Sequence, residues 1–340
     1  MKKQDALLAV EYDASNFSSL PLEFKKDRDV LLTALDEDCS YIWEVLPYFR
    51  DDKQVIMHAL SLPLGTSFIE KVSPRLRKDP DLALRALEVF KEVTVIHAFH
   101  KSLLNDKVFV VKFLTQAKTL LGDKLNFSLG YLSKEVRKDA DTVLKVLALL
   151  VDSERGHGFA SVSPKLKADK KFIAKAMQLD PEVYLDATAS VRKNRALAVQ
   201  AITASGMCLK GSPFRSDKAM VKLALKTSVH AFQYASKSLR KDRDLARQVF
   251  SENGFLLNKF PEWQGDKDMV EVAYRNNYIA MGFSSKELRL DKSFMLKAIE
   301  FNPSLGYYLD ESLSEDMAFM LRCGAFRYWS CPVHRYTSRL

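Results

Sequence analysis

Leu239-Arg240-Lys241-Asp242 decides the reading of this chain. Leu76-Arg77-Lys78-Asp79, Val136-Arg137-Lys138-Asp139 and Leu288-Arg289-Leu290-Asp291 repeat it: an apolar residue, two positions rich in Lys or Arg, then Asp. Carried outward, the register sets anchors at Asp5, Asp27, Asp52, Asp79, Asp106, Asp139, Asp169, Asn194, Asp217, Asp242, Asp266, Asp291 and Asp316. The mean interval is near 26 residues, and only those ending at Asp139 (33) and Asp169 (30) are clearly long. Four residues past the anchors stand Ala9, Leu31, Ile56, Ala83, Val110, Val143, Ile173, Ala198, Val221, Ala246, Val270, Met295 and Met320, all apolar. Ala recurs at offset seven (Ala34, Ala59, Ala86, Ala176, Ala201, Ala224, Ala273, Ala298), and a large apolar residue usually follows at eight. Offsets 4, 7 and 8, often with 3, make one stripe of an α-helix.

The Asp is expected to begin that helix, its carboxylate accepting from first-turn amides and sitting at the positive end of the helix dipole. Asn194 caps about equally well. Three residues before the anchor comes Phe24, Phe49, Leu76, Leu103, Val136, Leu166, Val191, Phe214, Leu239, Trp263, Leu288 or Leu313. This preceding stretch, for example 230–239, reads as a second, shorter helix. Helices of about 7–12 residues are marginal alone, so neighbours must stack. The expected fold is all-α: an α-solenoid of about 12 short helix-pair repeats of roughly 25 residues. A continuous array over 1–322 and an aromatic, basic capping tail over 323–340 are expected. Insertions near 121–124 and 152–158 map to loops.

Composition agrees. Only 12 Gly and 11 Pro among 340 residues argue against a turn-rich sheet protein, and 47% hydrophobic with 28% charged residues argues against disorder. Four scattered cysteines, Cys39, Cys208, Cys323 and Cys331, suit a reducing compartment better than a disulfide framework. The first residues lack the apolar run of a secretory leader. The most apolar stretch, Val143 to Val151, contains Lys145 and is too short to span a bilayer. A cytoplasmic location is expected, with leaderless export into a host cell as the alternative.

Tyr234-Ala235-Ser236-Lys237-Ser238-Leu239-Arg240-Lys241-Asp242 and Leu129-Gly130-Tyr131-Leu132-Ser133-Lys134-Glu135-Val136-Arg137-Lys138-Asp139 resemble the repeats called domain of unknown function 4116. The resemblance runs over most of the chain, strongest from about Phe68 to Asp169 and from Phe214 to Leu313. It is similar to a family found in protists, large viruses and Legionella-like bacteria, which implies a translocated effector as one role. It implies no activity and no catalytic residues.

Candidate chemistry reduces to charge. Lys and Arg number 52 against 43 acidic residues, a net charge of +9, which points to anionic partners. Lys25, Lys26, Arg77, Lys78, Arg137, Lys138, Arg192, Lys193, Arg240 and Lys241 precede the anchors and are expected to form a basic binding edge. The same cations can instead complement the dipole of the preceding helix. The Asp-x-Asp pairs Asp27/Asp29, Asp79/Asp81, Asp139/Asp141, Asp242/Asp244 and Asp266/Asp268 fit first-turn electrostatics better than a divalent cation site. His97 and His100 fall on one helical face without a third ligand, and Cys323, Cys331 and His334 lack zinc-site spacing. The recurrent Ser73, Ser133, Ser163, Ser236 and Ser285 have no repeated His and suit a backbone bond. No catalytic residue, metal, cofactor or small-molecule substrate is expected. The expected function is a non-enzymatic scaffold for protein–protein interaction. The alternative is binding of an anionic membrane or nucleic acid through the basic edge. A third, an enzyme built on Glu154 and His157, is least favoured.

Overall fold

The structure, a computed structural model, describes residues 1–150, 158–313 and 316–322. Among the described residues every regular element is an α- or 3-10 helix, so the protein is all-α. The chain divides into two compact units, Met1–Thr188 and Ala189–Leu340.

In the first unit the long helices are Lys3–Tyr12, Arg28–Glu37, Lys53–Ala59, Pro80–Phe90, Lys107–Leu121, Ala140–Leu150 and Lys170–Leu179. In the second they are Arg195–Ala204, Lys218–Leu225, Arg243–Glu252, Lys267–Asn276, Lys292–Phe301 and Met317–Arg322. From Asp27 onward the anchor residue is the N-cap. Asp266 Oδ1 accepts the amides of Asp268 and Met269 at 3.1 Å each, and Asn194 accepts that of Leu197 at 3.2 Å. The stripe is buried at four offsets, 3, 4, 7 and 8: Val30, Leu31, Ala34 and Leu35 after Asp27, or Met269, Val270, Ala273 and Tyr274 after Asp266. Each large apolar side chain so buried stabilises the fold by about 1.5–3 kcal/mol. Several neighbouring long helices pack on one another, as Lys3–Tyr12 does on Arg28–Glu37 and Arg243–Glu252 on Lys267–Asn276, and others pack chiefly on the connectors beside them.

The first anchor needs correction. Asp5 is the third residue inside its helix, not the cap, and its Oδ2 accepts the Lys2 amide at 2.7 Å. Lys2 is the N-cap, and the buried residues are Ala6 and Val10, offsets 4 and 8 from Lys2, while Ala9 is only half-buried.

The shorter helix expected before each cap is usually two pieces. Before Asp242 these are a 3-10 helix, Val229–Tyr234, and one α-turn, Lys237–Arg240. The break falls at Ser236, whose backbone N–H donates sideways to Arg215 O of the preceding repeat at 2.9 Å, so it cannot donate along a helix. Ser73 does the same to Arg50 O (2.8 Å), His100 to Arg77 O (2.9 Å), Ser163 to Arg137 O (3.2 Å) and Ser285 to Gln264 O (2.7 Å). The hydroxyls of Ser73, Ser133, Ser163 and Ser236 then cap the short turn, accepting the amide three residues on. The connector before Asp52 departs from this as a continuous helix, Tyr41–Phe49, with Pro47 inside it, and that before Asp217 has a single 3-10 helix, Gly206–Gly211, followed by a turn.

Candidate interaction surface

The charged residues nearest the caps are engaged in a ladder. In most repeats the residue after the cap reaches the cap carboxylate of the following repeat: Lys3 to Asp27 (2.9 Å), Arg28 to Asp52 (2.6 Å), Lys53 to Asp79 (2.7 Å) and Lys107 to Asp139 (2.5 Å) in the first unit, whereas Pro80 and Ala140 offer no cation there and the cap after Lys170 is Asn194. In the second unit Arg195 meets Asp217 (2.7 Å), Lys218 meets Asp242 (2.5 Å) and Arg243 meets Asp266 (2.5 Å), while Lys267 pairs with Asp291 and Lys292 with Asp316. Each cap carboxylate paired in this way gives one oxygen to its own first turn and the other to its neighbour's cation. The Lys107 ammonium, then Thr142, hold the Asp139 carboxyl down at about 2. Lys218 lowers Asp242, Arg195 lowers Asp217, and Lys267 keeps Asp291 far below the usual carboxylate range. Pairs this exposed are largely screened by solvent and contribute little to stability.

The sequence reading missed these cations. The signal was available: Lys or Arg recurs directly after the anchor as well as before it. The same ladder accounts for the second carboxylate of Asp-x-Asp, since Asp29, Asp81 and Asp268 pair with Lys3, Lys53 and Arg243 at 2.6, 3.1 and 2.6 Å. Among the described residues no group of three His, Cys, Asp or Glu is placed to hold a metal ion.

The ten residues of the expected basic edge separate into two sets. Those two before the cap, Lys25, Arg77, Arg137, Arg192 and Arg240, are half-buried. Lys25 Nζ donates to Ser18 O at 2.8 Å and pairs with Glu44 at 3.1 Å. Arg137 and Arg192 donate to Ser161 O and Gly211 O, each at 2.8 Å. The Nε atoms of Arg77, Arg137 and Arg240 are buried, so the stems are packed as well. Those one before the cap, Lys26, Lys78, Lys138, Lys193 and Lys241, are exposed. Lys26 lies over the Tyr48 ring at 4.0 Å and Lys138 pairs with Glu135 at 2.7 Å. Lys78, Lys193 and Lys241 make no side-chain pair among the described residues.

Apart from Tyr12 and Phe301 at the ends of long helices, the exposed aromatic side chains of the described residues lie on the connectors. Trp43 and Tyr48 lie in Tyr41–Phe49, Tyr131 in Leu129–Tyr131, Phe255 in Gly254–Lys259, Tyr278 in Tyr278–Phe283 and Tyr307 in Pro303–Tyr308. Trp43 is fixed edge-on to Phe68 at 5.7 Å and Phe255 edge-on to Phe283 at 5.2 Å, so they are exposed but held.

His97 and His100 do not share a helical face. Val93–Ala98 ends at an extended Phe99, and His100 caps the next 3-10 helix, its Nδ1 accepting the Ser102 amide at 3.1 Å. His97 instead meets the Tyr131 ring at 4.7 Å, on the wall of a cleft of about 420 Å³ floored by Ile96, Phe99 and Leu104. The insertion at 121–124 lengthens Lys107–Leu121 to 15 residues and adds a 3-10 turn, Gly122–Lys124. Glu154, His157, Cys323, Cys331, His334 and the tail 323–340 lie outside the described residues. No described helix is long and apolar enough to cross a membrane.

Caps, ion-pair rungs and sideways backbone bonds recurring at one spacing define an all-α protein of helical repeats. Residues 242–289, from the cap Asp242 to Arg289, match the family described as Domain of unknown function (DUF4116), in agreement with the resemblance carried by Tyr234 to Asp242 and its sister phrases. No curated protein and no solved structure matches the chain.

Proposed function

We propose that the chain is a non-enzymatic helical-repeat scaffold that binds a protein partner through the connector side of its repeats. One observation carries this reading. Most of the residues that the repeat holds constant are consumed by folding, as caps, rungs and sideways bonds, whereas Trp43, Tyr48, Tyr131, Phe255, Tyr278 and Tyr307 are left exposed on the connectors. Aromatic side chains held rigidly at a surface are the usual anchors of protein interfaces. Alanine at both Phe255 and Tyr278 is expected to weaken partner binding at least tenfold by titration calorimetry, with helical content unchanged by circular dichroism. Undiminished binding by a folded double variant would sink the reading.

A second reading rests on Lys78, Lys193 and Lys241, which stand exposed beside a net charge of +9. It makes the chain a binder of anionic surfaces, with binding that falls steeply as salt rises.

A further inference from the structure

We infer that the cleft between the connectors of the Asp106 and Asp139 repeats is a docking site for an acidic segment of a partner protein, taking a carboxylate side chain together with an apolar neighbour. The inference rests on the protein-binding reading above and names the chemistry of the partner.

At this cleft one repeat departs from the sequence of the others. From Asp27 to Asp291 the residue two before the cap is Lys, Arg or Gln in every repeat except one, where it is Leu104. In several other repeats that long polar side chain closes onto a connector carbonyl: Lys25 to Ser18 O, Lys167 to Ala160 O, Gln264 to Leu257 O and Arg289 to Gly282 O within its own connector, and Arg137 to Ser161 O and Arg192 to Gly211 O on the following one, at 2.8–3.2 Å. Leucine cannot make that bond. The sideways bond at this point, Ser133 N–H to Leu104 O, is also long at 3.4 Å, against 2.7–3.2 Å at Ser73, His100, Ser163, Thr188, Ser236 and Ser285. The two connectors flank a cleft of about 420 Å³ beside this longer bond, within the size range of ligand-binding clefts.

The rim chemistry selects the occupant. His97, Lys101, Asn105, Tyr131 and Ser133 line the opening, and no Asp or Glu does. The side-chain heads of Lys101 and Asn105 have no hydrogen-bond partner among the described residues. Ser133 Oγ accepts the Val136 amide at 3.2 Å and keeps its proton to donate. An ammonium, an amide and two hydroxyls over an apolar floor suit a carboxylate attached to an apolar stem. Tyr131 is pre-set for this contact, gripped edge-on by Phe127 at 5.5 Å and His97 at 4.7 Å.

The test uses the full chain and a fluorescein-labelled hexapeptide alternating Glu with Leu and Phe, followed by anisotropy. The peptide in which Gln replaces each Glu and vesicles of phosphatidylserine with phosphatidylcholine are the comparison probes. The Glu peptide is expected to bind, and the Gln peptide at least tenfold more weakly. Leu104→Arg, which installs the residue most other repeats carry, is expected to weaken the Glu peptide at least tenfold without loss of helical content. Lys101→Glu is expected to do the same from the rim and serves if the first variant folds poorly. Equal binding of Glu and Gln peptides, absence of peptide binding, or binding untouched by both variants overturns the inference. So does vesicle binding that the variants abolish while no peptide binds, since the cleft would then take lipid headgroups. Glu-peptide binding that survives both variants but is lost with alanine at Phe255 and Tyr278 removes the cleft and leaves the protein-binding reading standing.

Discussion

Asp139 divides its two carboxylate oxygens between two repeats, Oδ1 taking the Thr142 amide at 2.9 Å and Oδ2 the Lys107 ammonium at 2.5 Å. Its carboxyl is lowered to about 2, so the fold favours the ionised form. The stability this contributes is complete above the unfolded carboxyl's value of roughly 4 and is lost as pH falls through about 2. Asp139→Asn keeps a side-chain oxygen for the cap, as Asn194 does, but loses the charge pair. We expect it to cost about 0.2–1 kcal/mol at neutral pH, with the difference from wild type shrinking between pH 4 and pH 2 in urea denaturation. A difference constant with pH would show that the rung contributes nothing. At this scale the caps were legible in the sequence because a cap and its stripe lie within eight residues of each other. Asp5 misled because Ala6 through Val10 are all apolar, so two phases of the helix fit equally well and only the burial of Ala6 and Val10 separates them. The rung cations recur directly after the caps, but which carboxylate each one meets, some two dozen positions on, does not show in the sequence.

The connectors show what periodicity cannot carry. Apolar spacing marks where a segment is buried but not which way its amides point, so 230–239 reads as one helix until Ser236 N–H is found bonding sideways to Arg215 O. The departure at Leu104 shows in the sequence, where the other repeats from Asp27 to Asp291 carry Lys, Arg or Gln, but the cleft beside it does not. The second unit supplies a sharp element-scale test at Gly254, where the connector Gly254–Lys259 begins against the end of Lys267–Asn276. A Cβ there would come within 2.0 Å of Ala273 O, and the glycine N–H is already committed to Asn276 Oδ1 at 2.8 Å. Gly254→Ala is expected to cost about 1–3 kcal/mol through forced backbone movement. Gly265→Ala, whose Cβ would meet only Ser285 Oγ at 3.8 Å, is expected to be near neutral in the same guanidinium titration. Equal effects at the two glycines would contradict the described packing.

Over the whole molecule, the net charge of +9 is carried beside an acidic row already partnered at most caps, so cations outside the ladder set the field a partner meets. Replacing Lys78, Lys193 and Lys241 together by Glu is expected to leave the unfolding free energy within about 0.5 kcal/mol per site, since none is paired. The triple variant then divides the two functional readings: retained partner binding favours the aromatic connectors, and loss of salt-sensitive vesicle binding favours the cationic surface. The ladder has a consequence of another kind. Because a repeat such as 242–265 brings both the carboxylate its predecessor needs and the cation its successor needs, an in-frame duplication arrives already matched on both sides. A protein built this way can grow or shrink by whole modules without any new contact having to be invented, whereas a stray extra turn has to be stored within a module, as Lys107–Leu121 stores it.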